Sequence, residues 1–136
     1  MGQIADILQA RGDLDGALHL QQERLPVAEQ MGDIESMAHI LFSMALIKLQ
    51  KGIDSLETQQ GVMAELSKAW ELAYRLGRAD FIGFIGMTYG NLLAQTGQHA
   101  EARRVLEEAR KAFAKLQRHD HEQGVVKIMA KIPKGD

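Results

Sequence analysis

The sequence contains no cysteine, and this absence removes several kinds of site at once. A chain without cysteine has no disulfide framework, no cysteine-ligated zinc and no cysteine nucleophile. It is compatible with a cytoplasmic location, which we expect for this protein. Proline is scarce too, at two residues in 136, and the alternation of apolar and polar residues that predicts strands is rare. We therefore expect an all-α protein.

Charge of one sign and long apolar runs are also missing. The formal net charge is −2, so no overall field attracts nucleic acid or an acidic membrane surface. The longest apolar stretch, 40–47, is interrupted by Ser43 and ends at Lys48, short of the roughly 18 residues of a membrane span. The first residues include an early acid and no basic region, unlike a secretory signal. We expect neither a nucleic-acid partner nor a membrane.

The composition is that of a globular domain. Within it, the sequence contains an internal repeat. Three similar segments begin at glycines spaced 40 and 45 residues apart: Gly12, Gly52 and Gly97. A second set of positions, each at the end of a predicted helix, is spaced 45 and 40 residues apart: Gly32, Gly77 and Gln117. Both sets span 85 residues, so one insertion of about five residues lies between Gly52 and Val62.

The segments between these positions have the apolar spacing of amphipathic helices. In the last unit the stripe advances in steps of three and one: Ala102, Val105, Leu106, Ala109, Ala112, Phe113 and Leu116. The pattern predicts helices over 2–10, 14–31, 34–51, 61–76, 79–96, 99–117 and 120–131, with a loop over 52–60. An alternative starts the fourth of these helices after Ser55 as N-cap, although Gly61 disfavours it. Pro26 predicts a kink or a break near residues 22–26.

At this point the chain resembles a known family of helical repeats. Gly12-Asp13 followed by Ala17-Leu18 resembles the turn and second helix of a tetratricopeptide repeat. The segment MTYGNLLAQTGQHAEARRVLEEA, residues 87–109, resembles it more closely, with small and large residues at the expected places: Tyr89, Gly90, Leu93, Gly97 and Ala102. The period of about 40 residues is similar to that of the longer variant of the family.

This resemblance implies antiparallel helix pairs stacked in a right-handed α-solenoid, with one repeat domain over 1–136. We expect about three repeats, with partial repeats at both ends and the chain forming part of a larger protein. The first unit departs from the pattern, because Gln21 and Arg24 stand where the other units have leucine and alanine. Large residues such as Trp70 and Tyr89 are interpreted as core, and small ones let helix backbones approach closely.

No motif in the sequence predicts catalysis, a metal or a cofactor. His119 and His121 are two residues apart, which does not place them on one helix face, and no third ligand is evident. The segment GFIGMTYG, residues 83–90, lacks the lysine and the preceding strand of a phosphate loop. We interpret Gly83, Gly86 and Gly90 as a ridge of small residues for helix packing. The chain is therefore predicted not to be an enzyme.

The resemblance instead implies a concave groove lined by the first helix of each pair. Its positions carried onto this sequence are His39, Phe42, Leu46, Leu49 and Gln50, then Phe84, Met87, Asn91 and Gln95, then Lys127 and Lys131, with Asp6 and Gln9 from the first helix. The apolar members would anchor a peptide, unless they belong to the core. The clamp by which some members bind C-terminal carboxylates is not reproduced, because Met87 stands where it needs lysine.

We accordingly expect a protein–protein interaction module or scaffold that binds a peptide or partner protein in this groove. The alternative is a regulatory or sensor domain of a larger signalling or transcription-regulating protein. The end helices would leave apolar faces without neighbours, which predicts self-association. The residues concerned are Ile4, Ile7 and Leu8 at one end and Val125, Ile128 and Met129 at the other.

Overall fold

Residues 13–133 are the part of the chain that the computed structural model describes, and they fold into six α-helices. The helices are α1 (Leu14–Met31), α2 (Ile34–Lys51), α3 (Leu56–Leu76), α4 (Ala79–Gln95), α5 (His99–Lys115) and α6 (His119–Ala130). No strand occurs in this range, which confirms the all-α prediction. The predicted helix over 2–10 lies outside the described residues. None of the six helices combines the length and apolar character needed to cross a membrane.

The predicted loop over 52–60 is wrong for most of its length, because α3 begins at Leu56. The Oγ of Ser55 accepts a hydrogen bond from the backbone N–H of Thr58 at 3.1 Å. The Thr58 hydroxyl in turn donates to Asp54 at 2.8 Å. These bonds satisfy a backbone donor that would otherwise be free at the helix start, so the alternative with Ser55 as N-cap is confirmed. The insertion therefore lengthens α3, which has 21 residues against 17 in α5.

Of the kink or break predicted near Pro26, the break is wrong, because α1 continues without interruption from Leu14 to Met31; the kink stays a prediction. Proline has no N–H to donate to the carbonyl of Gln22, four residues earlier. Both Pro26 and Gln22 are exposed, so this carbonyl lies on the solvent side of the helix, where water can bond it. The loss of one helical bond is tolerated there.

The described residues divide into two compact units, with the boundary between Leu72 and Ala73. In the first unit α1 packs against α2, and in the second α5 packs against both α4 and α6. The first unit has a core of Ala28, Ile40 and Met44, against which Leu18, Leu25 and Met37 pack. Three residues that match each other in the repeat are fully buried: Ala17, Val62 and Ala102.

In the second unit, two glycines of α4 let α5 approach closely. A Cβ atom added to Gly90 would lie 2.5 Å from Cγ of Leu106, and one added to Gly83 would lie 2.8 Å from a ring carbon of Phe113. Leu106 and Phe113 are both 0% exposed. Burying each such side chain contributes about 2–3 kcal/mol. The predicted packing role of the small residues is therefore confirmed at Gly83 and Gly90.

The helix ends repeat the same backbone geometry. Gly32, Gly77 and Gln117 have left-handed φ angles of 66°, 67° and 59°. At α1 and α5 the next residue then bonds back across the turn: the N–H of Asp33 to the carbonyl of Ala28 at 3.0 Å, and that of Arg118 to Phe113 at 2.9 Å. This is the Schellman arrangement, which satisfies carbonyls at a helix end. Glycine adopts it without strain, whereas Gln117 does not.

The first test concerns the close approach of α4 and α5. We expect Gly90→Ala to lower the free energy of unfolding by about 1–3 kcal/mol, because Leu106 must move to accommodate the methyl group. The matched control is Gly61→Ala in α3, where the nearest atom to an added Cβ, Lys48 Nζ, is 3.9 Å away. Gly61→Ala should stabilise by about 0.5–1 kcal/mol through helix propensity. Chemical denaturation measures both; equal effects would contradict the packing role of Gly90.

The second test concerns the left-handed turns. An added Cβ at Gly77 meets no atom within 4 Å, so Gly77→Ala isolates the cost of the positive φ angle. We expect it to destabilise by about 1–2 kcal/mol. The reverse substitution, Gln117→Gly, should raise the free energy of unfolding by about 0.5–1 kcal/mol, because glutamine is strained at its positive φ angle and glycine is not. Thermal unfolding of both variants measures this, and a destabilising Gln117→Gly would refute the explanation.

Candidate interaction surface

Four of the predicted groove residues lie on one face of α2: His39, Phe42, Leu46 and Gln50. Their spacing of three or four residues places them in one line along the helix, which we call the α2 stripe. His39 and Gln50 are exposed, Phe42 is half-buried and Leu46 is 37% exposed. Leu49, also predicted for the groove, is half-buried. The first unit thus presents two apolar side chains between two polar ones.

A second line of residues lies on α4, and we call it the α4 stripe: Phe84, Met87, Asn91 and Gln95. Each follows its counterpart in the α2 stripe by 45 residues, the longer of the two repeat spacings. Gln95 is exposed, whereas the other three are half-buried. The two stripes therefore occupy equivalent positions on their helices but differ in how much of each is accessible.

Contacts with α5 and α6 account for part of the coverage of the α4 stripe. The Phe84 ring meets Phe113 edge-on at 5.1 Å and His121 edge-on at 5.0 Å, measured between ring centroids. Phe113 and His121 stack on each other at 5.1 Å. An added Cβ on Gly124 would lie 3.2 Å from the terminal methyl of Met87. Phe84 and Met87 thus take part in packing within the second unit, whatever else they contact.

The two histidines near the start of α6 each face a different carboxylate. Nδ1 of His121 lies 3.1 Å from Asp120, and Nδ1 of His119 lies 3.3 Å from Glu122. The pKa of Asp120 is below its usual value because the carboxylate accepts hydrogen bonds from the backbone and then the side chain of His121. In the range 13–133, no group of three histidine, aspartate or glutamate side chains is placed to hold a metal ion. His121 is instead part of the aromatic packing.

Cationic side chains follow the α4 stripe in the repeat. Lys127 in α6 and Lys131 just after it are both exposed, and they come 40 residues after Met87 and Asn91. Within the described part of the chain, neither lysine forms an ion pair. The last predicted site positions therefore carry positive charge that is available to an acidic group. Asp6 and Gln9, which the prediction also included, lie outside the described residues.

The outer face of α5 has a different character, because its charges pair with each other. The guanidinium of Arg110 donates to both carboxylate oxygens of Glu107, at 2.6 and 2.7 Å. This bonding lowers the pKa of Glu107. Nζ of Lys111 lies 3.7 Å from a carboxylate oxygen of Glu108, which is likewise three residues earlier on the helix. Such pairs between partly exposed residues three apart on one helix contribute only a few tenths of a kcal/mol, so this face provides control positions for mutation.

One polar cluster was not predicted as such, although its residues stood out in the sequence. Gln21 of α1 is 1% exposed, at a position that matches Leu66 and Leu106 in the other repeats. Its amide donates to the Ser43 hydroxyl of α2 at 2.9 Å and accepts from the guanidinium of Arg24 at 2.9 Å. Both ends of the amide are therefore bonded, which offsets the cost of burying it. The sequence signal for this cluster was Gln21 itself, a polar residue at a position where the other repeats have leucine.

The third test addresses this cluster. Gln21→Leu, which copies the other repeats, should lower the free energy of unfolding by about 1–3 kcal/mol because it leaves the Ser43 hydroxyl without its partner. Adding Ser43→Ala should recover most of that loss. A double-mutant cycle by denaturation measures the coupling. Strictly additive effects of the two substitutions would mean that the hydrogen bond contributes nothing.

No known protein family has a model that matches this chain, and no curated protein matches it in sequence. The resemblance to tetratricopeptide repeats thus rests on the residues quoted above. Chemically, the first unit offers aliphatic and aromatic side chains with an imidazole and an amide, and the second unit offers apolar side chains with amides and two lysines. Such groups bind by contact and hydrogen bonding.

Proposed function

We propose that this chain is a protein–protein interaction module whose helix pairs belong to a tetratricopeptide-like right-handed α-solenoid. The recurring left-handed turns at Gly32, Gly77 and Gln117 support this proposal. The fit of large residues against Gly83 and Gly90 supports it as well, because solenoid repeats bury their stripes by close packing of neighbouring helices. In this view the α2 stripe and the α4 stripe each contact a partner peptide.

The observation that carries the proposal is the state of Leu46. This side chain remains 37% exposed in the middle of α2, although Ala45 before it and Ile47 after it are both 0% exposed. It has half-buried Phe42 one turn before it and exposed Gln50 one turn after it. An aliphatic and an aromatic side chain framed by polar groups are suited to anchor a peptide, since anchors bury apolar area and rim groups set orientation.

The chemistry of each stripe defines the kind of peptide that it fits. In the first unit, an apolar side chain of a bound peptide would contact Phe42 and Leu46. In the second unit, backbone amide groups of a bound peptide would bond Asn91 and Gln95. An acidic group would be favoured there near Lys127 and Lys131, and its contribution should weaken as salt rises.

The fourth test measures peptide binding directly. Peptides selected from a random displayed library against the wild-type chain provide the probe, and calorimetry gives their affinity. We expect Leu46→Ala and Phe42→Ala each to weaken binding by about 2 kcal/mol, or roughly thirtyfold, because each removes an anchor. For a peptide that binds the second unit, Lys127→Ala should weaken binding by less than the loss of an anchor, and mainly at low salt.

Glu107→Ala on the outer face of α5 serves as the control and should leave affinity unchanged. Phe84→Ala tests whether Phe84 anchors a peptide or only packs in the core, because its ring also contacts Phe113 and His121. If it destabilises the fold by about 3–5 kcal/mol while affinity per folded molecule is unchanged, Phe84 is a core residue. If Leu46→Ala and Phe42→Ala also leave affinity unchanged, the α2 stripe is not the binding surface.

A further inference from the structure

The small net charge of the chain results from opposite charges on the two units. Residues 13–72 carry ten acidic side chains and four lysine or arginine side chains, a formal net charge of −6. Residues 73–133 carry six acidic side chains and ten lysine or arginine side chains, a formal net charge of +4. Surfaces of opposite sign on one chain attract each other between two copies of that chain.

This difference is clear at two turns that match each other in the repeat. We call residues 27–36 the acidic turn and residues 111–118 the basic turn. Their left-handed residues, Gly32 and Gln117, are 85 positions apart. The acidic turn has no lysine or arginine and three acids: Glu29, Asp33 and Glu35. The basic turn has no acid and three cations: Lys111, Lys115 and Arg118. Turns of similar backbone geometry therefore carry opposite charges.

The acidic turn borders an open pocket of about 300 Å³ between α1 and α2, which we call the α1–α2 pocket. Val27 and Met31 line it and are 57% and 74% exposed, although both are large apolar residues. Two carboxylates, those of Glu23 and Asp33, also line it, against the one guanidinium of Arg24. The pocket therefore suits an apolar side chain that is accompanied by cations.

The basic turn presents such a group. Leu116 is 39% exposed, and the cations on either side of it, Lys115 and Arg118, are exposed as well. Within residues 13–133, no carboxylate forms an ion pair with Lys115 or Arg118. The guanidinium of Arg118 lies over the Phe84 ring, 5.7 Å from its centroid. An apolar side chain thus stands between two cations that are available to carboxylates.

We propose that the basic turn of one copy docks on the acidic turn of a second copy. Leu116 enters the α1–α2 pocket and contacts Val27 and Met31. Lys115 and Arg118 then lie beside the carboxylates of the acidic turn. The charge complementarity of the two turns, three acids on one and three cations on the other, identifies a second copy as the occupant of the pocket.

This contact is heterologous, because it joins two different surfaces. It buries a few side chains, so the association is weak and depends on concentration, as small interfaces generally are. Because exposed charges contribute to it, the association weakens as salt rises. None of the residues that make the contact belongs to the α2 stripe or the α4 stripe, so the proposal goes beyond peptide binding and can hold without it.

The fifth test exchanges charges between the two turns of the full chain. Glu29→Lys and Lys115→Glu each place like charges in the contact. Each should raise the dissociation constant of self-association by about tenfold at low salt, as measured by sedimentation velocity. A double variant with both substitutions has opposite charges again and should associate nearly as tightly as the wild type. Both side chains are exposed, so circular dichroism should show unchanged helical content.

Lys68→Glu is the matched control, because it makes the same change of charge at an exposed position of α3 outside both turns, and it should leave the dissociation constant unchanged. Leu116→Ala should weaken association, whereas Val126→Ala, at an equally exposed residue of α6, should not. A wild-type chain that stays monomeric at millimolar concentration would overturn the proposal. So would an equal effect of Lys68→Glu and Lys115→Glu, or a double variant that fails to associate.

Discussion

The tight reversal of the chain after α1, α3 and α5 is the constraint on which much of the fold depends. A short link between two consecutive helices makes them antiparallel neighbours that can bury their apolar stripes against each other. Here a left-handed residue ends the helix and lets the next one begin within two or three residues, as at Gly32 and Gln117. Once the helices are antiparallel neighbours, small residues such as Gly90 decide how closely they approach.

The two units differ in the side chains that are buried between their neighbouring helices. In the second unit Leu106 and Phe113 fit against glycines, so the contact between α4 and α5 is apolar and close. In the first unit the residue that matches Leu106 is Gln21, and the contact between α1 and α2 includes a hydrogen-bonded amide and hydroxyl. A buried amide is tolerated only in a geometry that bonds it, so this cluster restricts how α1 and α2 can pack.

Two residues at equivalent places in the repeat can have different surroundings. Phe42 and Met87 are 45 residues apart and lie at the same position on their helices. The α4 stripe is partly covered because α6 brings His121 onto Phe84 and Gly124 onto Met87. Val125, predicted for an exposed end face, is 0% exposed, so that part of the prediction is wrong; Ile128 and Met129 are half-buried. Periodicity identifies a helix face, but the neighbouring helix decides whether that face is open.

The sequence by itself determined the helices, most of their ends and the places where the backbone turns. These follow from interactions between residues close in the chain: apolar spacing, capping side chains and the conformational freedom of glycine. Even Ser55 was identifiable as a cap, although the loop was preferred there. Only the tertiary structure decided that Gln21 is bonded to Ser43, that Phe84 packs on His121 and that the Arg24 guanidinium donates to the buried amide of Gln21. Each of these depends on side chains from different turns or helices, whose meeting depends on packing rather than on local preference.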